Sequence, residues 1–307
     1  MPPSREWWAR KLRESDQLKH TIAGAGAGLV TSIVTCPLDV VKTRLQNQGV
    51  ATGAQKSYKG TAGTLTRIWS EEGIRGLYRG LGPTIFGYLP TWAIYFTAYD
   101  YFKDLVATQT GHPESNLFVY IVAAMSAGAT STTITNPLWV IKTRFMTQND
   151  HTPYRYKNTL DAFVTIYRVE GVRGFYKGLG SSLMGITHVA LQFPLYEKLR
   201  IWLKPKDSDH VSSGAILAAS STSKMAASIA TYPHEVIRTR LQNQSTHPPK
   251  YKGIIHACQL IYREEGIRAF YKGMPTNLLR TVPASAMTIL TYELIVERLN
   301  NLTATNT

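Results

Sequence analysis

PLDVVKTR (Pro37–Arg44) decides the fold of this chain, because two closely similar stretches follow it. They are PLWVIKTR (Pro137–Arg144) and PHEVIRTR (Pro233–Arg240), and the three copies lie about 100 residues apart. A match at a fixed interval indicates one structural unit repeated along the chain. The sequence of 307 residues therefore predicts three similar units rather than one irregular domain.

Two further blocks follow each proline block in the same order. One joins an acid-glycine pair to an aromatic-basic-glycine triplet, at Glu72–Gly80, Glu170–Gly178 and Glu265–Gly273. The other begins with tyrosine and an acid, at Tyr99, Tyr196 and Tyr292. These blocks predict a tail over 1–16, repeats over 17–110, 111–206 and 207–300, and a second tail over 301–307.

Each unit reads as two long helices with a short amphipathic segment between them. The first helices are rich in small residues, which let membrane helices approach closely, and cover Thr21–Leu38, Leu117–Val140 and Val211–Pro233. The amphipathic segments include Gly60–Glu71 and Asn158–Val169. The second helices are predicted over Leu81–Leu105, Leu179–Trp202 and Met274–Leu299. Two spans in each of three units predict an all-α membrane protein with six transmembrane helices; buried helices of a soluble protein are the alternative.

Composition alone does not indicate a membrane protein. The net charge of +14 favours nucleic acid, and the mean hydropathy of −0.14 argues against a polytopic membrane protein. The basic residues are nevertheless dispersed through the repeats instead of forming one stripe, so no nucleic-acid partner is predicted. No dinucleotide-enzyme, P-loop or zinc-protease motif occurs. Cys36 and Cys258 offer neither a disulfide framework nor a zinc spacing, so no metal site is predicted.

The blocks resemble the signature of the mitochondrial carrier family, which is Pro-x-acid-x-x-base-x-base followed by acid-Gly and aromatic-basic-Gly. The resemblance covers Lys19–Asn300. It implies three pseudo-symmetric helix pairs around a central cavity, with short amphipathic helices on the matrix side. It also implies a monomer in the mitochondrial inner membrane that transports by alternating access, is not an enzyme and needs no cofactor.

The resemblance implies a gate on the matrix side, in which the acid of one proline block pairs with the base of the next repeat. Carried over to this chain, Asp39 meets Lys142 and Glu235 meets Lys42. Within each block the acid and the base lie three residues apart, so they share one helix face. Three separate surface ion pairs, each contributing about 0–1 kcal/mol, are the alternative.

The third pair of this matrix gate lacks its acid, because Trp139 stands in that place. Arg238 is therefore expected to make a cation–π contact with an aromatic ring, which contributes roughly 0.5–2 kcal/mol. Gln46 and Gln242 match the family's glutamine braces. With two ion pairs instead of three, the gate should have a small barrier to opening.

A second gate is implied on the cytoplasmic side by the tyrosine blocks. Asp100 would pair with Arg200 and Glu293 with Lys103, whereas Glu197 lacks a basic partner. This gate therefore also keeps two of its three ion pairs. The family's tyrosine braces correspond to Tyr99, Tyr196 and Tyr292.

The glycine blocks have a separate interpretation. They bracket helix starts, where free backbone N–H groups bind phosphate, and the family holds cardiolipin at these places. The basic residue in each block favours a lipid phosphate, although a plain turn would explain the glycines alone. The glycines concerned are Gly73, Gly80, Gly171, Gly178, Gly266 and Gly273.

Two cations inside predicted spans are the first candidates for substrate binding. An ionisable residue within a span is a functional candidate by default, and Lys224 and Arg280 both lie far from their helix ends. Together they predict an anionic, phosphorylated substrate; a structural ion pair or snorkelling is the alternative. His188 and Gln192 are weaker candidates, since a lone histidine in a helix is more often a packing residue.

The family's substrate contact points fall on Gly87, on Gly185 with Ile186, and on Arg280. Trp92 lies near the first of these and could stack on a ring of the substrate. Trp139 in the second proline block resembles the branch that carries NAD, FAD, folate and pyrimidine nucleotides. Within that branch, the stretches 87–96, 188–197, 220–240 and 280–288 look most like fungal NAD⁺ carriers. The resemblance thus implies import of NAD⁺, in possible exchange for an adenine mononucleotide, with FAD, folate or pyrimidine nucleotides as alternatives.

Overall fold

A computed structural model describes the chain over 16–49, 58–111, 113, 116–149, 152, 155–203, 213–245 and 249–304. Within these ranges the chain is helical and has no strand. The predicted N-terminal tail, except its last residue, and the last three residues of the C-terminal tail lie outside the described part.

The helices follow the predicted repeat order. Repeat 1 contains α1 (Asp16–Asn47), α2 (Gly60–Leu77) and α3 (Leu81–Thr110). Repeat 2 contains α4 (Leu117–Thr147), α5 (Thr159–Glu170), α6 (Val172–Phe175), α7 (Leu179–Met184) and α8 (Thr187–Trp202). Repeat 3 contains α9 (Ser213–Thr231), α10 (Pro233–Asn243), α11 (Ile254–Glu265), the 3₁₀ turn Ile267–Tyr271 and α12 (Met274–Ala304).

The three proline blocks do not behave alike. Helices α1 and α4 continue through Pro37 and Pro137, whereas in repeat 3 one helix ends at Thr231 and the next begins at Pro233. Proline removes a backbone donor and clashes with the preceding turn, so a bend or break is expected at each site. The first long helix therefore runs through the proline block in repeats 1 and 2 and stops just before it in repeat 3, whereas the sequence predicted an end near the block in every repeat.

The second long helix of repeat 2 is interrupted, although the sequence predicts it as continuous. Helix α7 ends at Met184, and α8 begins at Thr187. Gly185 and Ile186, which the family resemblance marks as a contact point, form the connection. The break lets a side chain from another helix approach the backbone of Gly185.

Helices from neighbouring repeats pack side by side and close a ring. Helix α3 packs along α4, α8 along α9, and the last helix, α12, along α1. Among the described residues, the segments Ala23–Asn47 and Leu117–Thr147 are long and apolar enough to cross a membrane, each with a mean hydropathy of 1.5. We call the end of the ring that holds the proline blocks the proline end, and the end with the tyrosine blocks the tyrosine end.

Candidate functional site: a central cavity between two charged ends

A cavity of about 290 Å³ lies inside the ring, against repeats 2 and 3. Of the predicted substrate residues, Gly185, His188, Lys224 and Arg280 line it. Lys224 is exposed into this space, and the side chain of Arg280 is 28% exposed. The structure thus brings two cations and one imidazole from three different helices together, which is the arrangement expected around an anionic ligand.

Four other predicted substrate residues do not line this cavity. Gly87 is buried, and a side chain there would contact Leu138 on α4. Ile186 packs against Gly128 of the same helix. Gln192 is half-buried on α8. Trp92 is 51% exposed and stacks on Phe96, with 5.5 Å between ring centres.

Other residues that line the cavity were missed by the sequence reasoning. His234 contacts Gly185 closely, because a Cβ atom on Gly185 would lie 2.5 Å from the Nε2 atom of His234. Nδ1 of the same imidazole is hydrogen-bonded to the carbonyl of Thr231, so the ring has little freedom. Asn277 and Ser228 line the same space and are hydrogen-bonded to each other, with 3.3 Å between Nδ2 and Oγ. The polar residue His234 inside a proline block, where repeats 1 and 2 have leucine, was the available signal.

At the proline end, Lys42 and Glu235 form the predicted ion pair. The Nζ atom of Lys42 lies 2.6 Å from Oε2 of Glu235 and also donates to Oδ1 of Asn277, 2.9 Å away. Gln46 donates from Nε2 to Glu235 and to the hydroxyl of the buried Tyr232, at 3.1 and 2.9 Å. The ion pair therefore joins repeat 1 to repeat 3 and is held in place by a buried amide.

The second predicted ion pair is absent, and Asp39 has a different partner. Oδ1 of Asp39 lies 3.1 Å from Nη1 of Arg280, and the Asp39 side chain is 14% exposed. Lys142 forms no ion pair with Asp39; its Nζ atom lies over the ring of Trp139, 4.7 Å from the ring centre. The sequence predicted a cation–π contact for Arg238, but the cation that lies over the Trp139 ring is Lys142. Tyr88 covers another side of this ring, edge-on, with 5.9 Å between centres.

The two glutamines of the proline blocks differ as a result of Trp139. Gln242 accepts a hydrogen bond of 2.7 Å from Thr143, but its buried Nε2 has no partner. The equivalent atom of Gln46 has a carboxylate acceptor in Glu235. The missing acid at position 139 thus leaves an unsatisfied buried donor, and such a donor costs about 1–3 kcal/mol.

The predicted ion pairs at the tyrosine end are not formed. Asp100, Arg200 and Glu293 are exposed, and within the described chain no ion pair joins Asp100 to Arg200 or Glu293 to Lys103. The Nζ atom of Lys103 lies 5.9 Å from the centre of the Tyr120 ring. Of the remaining residues predicted here, Glu197 is exposed, Tyr196 and Tyr292 are half-buried, and Tyr99 stacks on Tyr95. Among the predicted gate pairs, the ring is thus fastened only at the proline end.

A buried cluster of charges occurs once in every repeat, and the sequence reasoning assigned it no role. The last arginine of each proline block forms a bidentate ion pair with the acid of the following glycine block. The basic residue of that glycine block binds the same acid, at 2.5–3.0 Å. The clusters are Arg44–Glu72–Arg79, Arg144–Glu170–Lys177 and Arg240–Glu265–Lys272. Repetition of all three residues in every unit was the signal that could have identified them.

Two of these acids, on the short helices outside the long ones, have altered ionisation. Burial alone would raise the pKa of Glu170, but hydrogen bonds and charges from Arg144 and Lys177 outweigh it and hold the pKa below 4.5. Burial would likewise raise the pKa of Glu265, but hydrogen bonds and charges from Arg240 and Lys272 outweigh it and lower the pKa. Both acids therefore stay ionised well below neutral pH.

The six glycines predicted to bind lipid all have φ between +64° and +90°, a region that favours glycine. Three of them meet the backbone of the neighbouring repeat. A Cβ atom on Gly80, Gly178 or Gly273 would lie 3.0–3.3 Å from the carbonyl oxygen of Lys142, Arg238 or Lys42. A turn and a close backbone approach thus account for the glycines. The basic residues expected to face lipid phosphate bind the repeat acids instead.

Comparison with known proteins agrees with the threefold repeat. The family model described as mitochondrial carrier protein matches residues 13–110, 113–207 and 209–302. A Saccharomyces cerevisiae protein named mitochondrial nicotinamide adenine dinucleotide transporter 1 is 43% identical over 289 residues, which cover 92% of this chain and 77% of that protein.

Two plant proteins are similarly related. Nicotinamide adenine dinucleotide transporter 2, mitochondrial, of Arabidopsis thaliana is 44% identical and is matched over 89% of this chain and 77% of its own length. Nicotinamide adenine dinucleotide transporter 1, chloroplastic, of the same plant is 42% identical, with 91% of each chain covered. The family model thus matches all three repeats of the ring.

Proposed function

This chain belongs to the mitochondrial carrier family, and from that premise we propose that it carries NAD⁺ across the mitochondrial inner membrane. The family makes the protein a transporter rather than an enzyme. The relatives named as NAD⁺ transporters support the choice of substrate. The observation that carries the proposal is the cavity in which Lys224 and Arg280 face one space.

The chemistry of the cavity suits a dinucleotide. Arg280 and Lys224 offer two cations for the pyrophosphate group, and charge-assisted hydrogen bonds to phosphate are the strongest in this class. The adenine ring would lie near Gly185, where the interrupted helix exposes backbone. Ile186, His188 and Gln192 flank that place on the same segment, and Trp92 would stack on a ring of the substrate near Gly87.

Transport would proceed by alternating access between the two ends. The ion pairs of Lys42 and Asp39 fasten the proline end, which corresponds to the matrix side in this family. The exposed charges at the tyrosine end would pair when the cytoplasmic side closes. Neither end has three ion pairs, so the two states should be similar in free energy, as a reversible carrier requires.

Six membrane spans follow from the repeat. Two of them, Ala23–Asn47 and Leu117–Thr147, are apolar enough to be recognised by composition. In repeat 2 the second long helix is interrupted, so α8 has only 16 residues. In repeat 3, α9 contains several serines and threonines and Lys224, which lower its mean hydropathy. The protein would act as a monomer, because one chain closes the whole ring.

Cardiolipin is the lipid that we propose for the three glycine blocks. Gly73, Gly171 and Gly266 face open space, since nothing lies within 4 Å of a Cβ atom placed on them. Backbone N–H groups at a helix start bind phosphate without help from a side chain. The lipid would therefore be held by backbone rather than by the engaged basic residues.

Uptake into liposomes tests the function. The purified protein should accumulate labelled NAD⁺, and Arg280→Ala should abolish uptake without loss of the fold. Arg298→Ala is the matched control, because Arg298 lies on the same helix but is exposed and outside the cavity. Uptake of FAD, folate or a pyrimidine nucleotide in place of NAD⁺ would show that the proposed substrate is wrong, although the protein would still be a carrier.

A further inference from the structure

His234 stands where the other two proline blocks have leucine, at Leu38 and Leu138. Its backbone carbonyl accepts a hydrogen bond of 2.8 Å from the hydroxyl of the buried Ser181 on α7. Its ring lines the cavity beside Gly185, at the break between α7 and α8. The proline block and the interrupted helix therefore hold this imidazole together at the wall of the substrate cavity.

The hydrogen bond of the ring determines which of its nitrogens carries the proton. Nδ1 of His234 is hydrogen-bonded to the carbonyl of Thr231, and a carbonyl oxygen only accepts, so Nδ1 is the donor. A neutral imidazole has a single N–H group, so Nε2 has a lone pair and no hydrogen. Gly185, which Nε2 approaches, supplies no donor, because its own N–H binds the carbonyls of Ser181 and Ser182. Among the described residues Nε2 has no hydrogen-bond partner, so the ring offers the cavity a fixed acceptor.

The other charged and imidazole groups of this cavity do not offer such an acceptor. Lys224 and Arg280 carry only donors, so they recognise the charge of a phosphate. The carboxylate of Glu235 is occupied by its ion pair at the proline end. His188 forms no side-chain hydrogen bond within the described chain, so either of its ring nitrogens can carry the proton. Among these groups, a neutral acceptor with a fixed direction is therefore particular to His234.

A fixed acceptor distinguishes purines that differ in one group. Adenine has a 6-amino group, which donates, whereas hypoxanthine has a 6-oxo group, which accepts and would face the lone pair of Nε2. The carboxamide of nicotinamide has both a donor and an acceptor and can rotate, so it satisfies either kind of partner. A site that binds an N–H group of its substrate rejects the analogue that lacks it, because the polar group of the site then stays unpaired.

We propose that His234 is a specificity-determining residue of the cavity, whose Nε2 accepts a hydrogen bond from the amino group of adenine and so selects amino-purines over oxo-purines. The inference rests on the proposed function, in which an adenine dinucleotide occupies this cavity. Lys224 and Arg280 bind the charge of the substrate, and His234 identifies its base. A dinucleotide that keeps the charge but has hypoxanthine in place of adenine should therefore bind weakly.

The test compares NAD⁺ with nicotinamide hypoxanthine dinucleotide, in which only the amino group is replaced by oxygen. Binding to the purified protein is measured at pH 8, where an ordinary imidazole is neutral. The unaltered protein should bind NAD⁺ about fivefold more tightly or better. His234→Leu, which introduces the residue of the other two blocks, should bind both dinucleotides equally weakly. In liposomes its KM for NAD⁺ should rise, while the maximal rate is kept.

His188→Leu is the matched control, because it removes an imidazole from the same cavity but should keep the ratio of the two affinities. His234→Gln is a second variant in case His234→Leu does not fold. Its amide can turn either an oxygen or an N–H group toward the base, so it should bind both dinucleotides with similar affinity. The melting temperature of each ligand-free variant shows whether it is folded.

Three results would overturn the inference. They are equal binding of the two dinucleotides by the unaltered protein, an unchanged preference in the His234 variants, and loss of the preference in His188→Leu. Nicotinic acid adenine dinucleotide, in which the carboxamide is replaced by a carboxylate, checks the other base. If His234→Leu alters the preference between NAD⁺ and this compound but not the preference for adenine, His234 contacts the nicotinamide end and the inference is wrong.

Adenosine diphosphate and inosine diphosphate separate this inference from the proposed substrate. If the unaltered protein does not bind NAD⁺, the proposed function is wrong, and these two compounds, which differ in the same group, then decide the role of His234. Tighter binding of adenosine diphosphate by the unaltered protein, but not by His234→Leu, supports the inference. Equal binding of the two compounds, or binding of neither, contradicts it.

Discussion

The ammonium group of Lys142 lies 4.7 Å from the centre of the Trp139 ring, three positions away on the same helix. An acid at position 139 would face Arg238 of the next repeat in the pattern of the family. It would also offer an acceptor to the unpartnered Nε2 of Gln242. Trp139 therefore replaces a between-repeat ion pair with a contact inside one helix.

Restoring the acid should make the proline end harder to open. We expect Trp139→Asp to raise the melting temperature of the ligand-free protein and to slow NAD⁺ uptake, because the closed state gains an ion pair that must break in every cycle. Trp139→Phe is the control, since it keeps an aromatic ring and adds no charge. Faster uptake with a lower melting temperature in Trp139→Asp would contradict this reading of the gate.

The repeated arginine–acid clusters should dominate stability at the proline end. The side chains of Arg144 and Glu170 are only 2% and 3% exposed. Removing one partner of a buried ion pair costs about 3–5 kcal/mol, because the other charge stays buried. Glu170→Gln should therefore lower the melting temperature by more than about 5 °C.

Glu71→Gln provides the matched control for that substitution. Glu71 pairs with Arg67 one turn away on the same helix, and its side chain is 51% exposed. Exposed pairs of this kind contribute only about 0.3–0.5 kcal/mol. Both variants are measured by thermal denaturation in one detergent. If Glu71→Gln and Glu170→Gln lower the melting temperature equally, the buried cluster contributes no more to stability than an exposed ion pair.

The repeat and the family resemblance together predicted much of this structure. Equivalent residues in three similar units must occupy equivalent places, so block spacing predicted the helix order, and the family resemblance predicted the Lys42–Glu235 pair. The partner of Asp39 could not be predicted in this way, because both Lys142 and Arg280 lie near its carboxylate. The choice depends on Trp139 holding Lys142, a packing effect for which the spacing of the blocks carries no information.

The cavity was predicted in part, since four of the eight predicted substrate residues line it. Lys224 and Arg280 were identifiable because a charge within a long helix needs a reason. His234 was missed because it stands inside a block that the repeat marks as a gate. Its approach to Gly185 depends on the interruption between α7 and α8, which hydrophobic pattern alone does not predict.

Acid should weaken the buried clusters in a defined pH range. Because Arg144 and Arg240 lower the pKa values of Glu170 and Glu265 below 4.5, the unfolded chain binds protons more readily than the folded one. Stability is then fully present above about pH 4.5 and is lost as the pH falls through the lower folded-state values. Melting temperature measured against pH should decline there, and Glu170→Gln should decline less steeply. A pH dependence identical in both proteins would exclude Glu170 as a source.

A side chain at Gly185 should reshape the cavity through His234. A Cβ atom there would lie 2.5 Å from Nε2 and 2.9 Å from Cδ2 of the imidazole, which the Thr231 carbonyl holds in place. We expect Gly185→Ala to raise the KM for NAD⁺ and to lower the melting temperature, because the ring must leave its hydrogen bond. Gly128→Ala is the control, since its Cβ atom would meet Ile186 at an ordinary 3.6 Å.

The double variant Gly185→Ala with His234→Ala separates a clash from a backbone effect. If the loss of stability in Gly185→Ala comes from a clash with the imidazole, removing the imidazole should restore the melting temperature. The KM should remain high if the His234 ring contributes to substrate binding, and should recover if the ring merely obstructs the cavity in the single variant. Strictly additive losses of melting temperature in the two substitutions would mean that the close approach of Gly185 and His234 does not govern this part of the cavity.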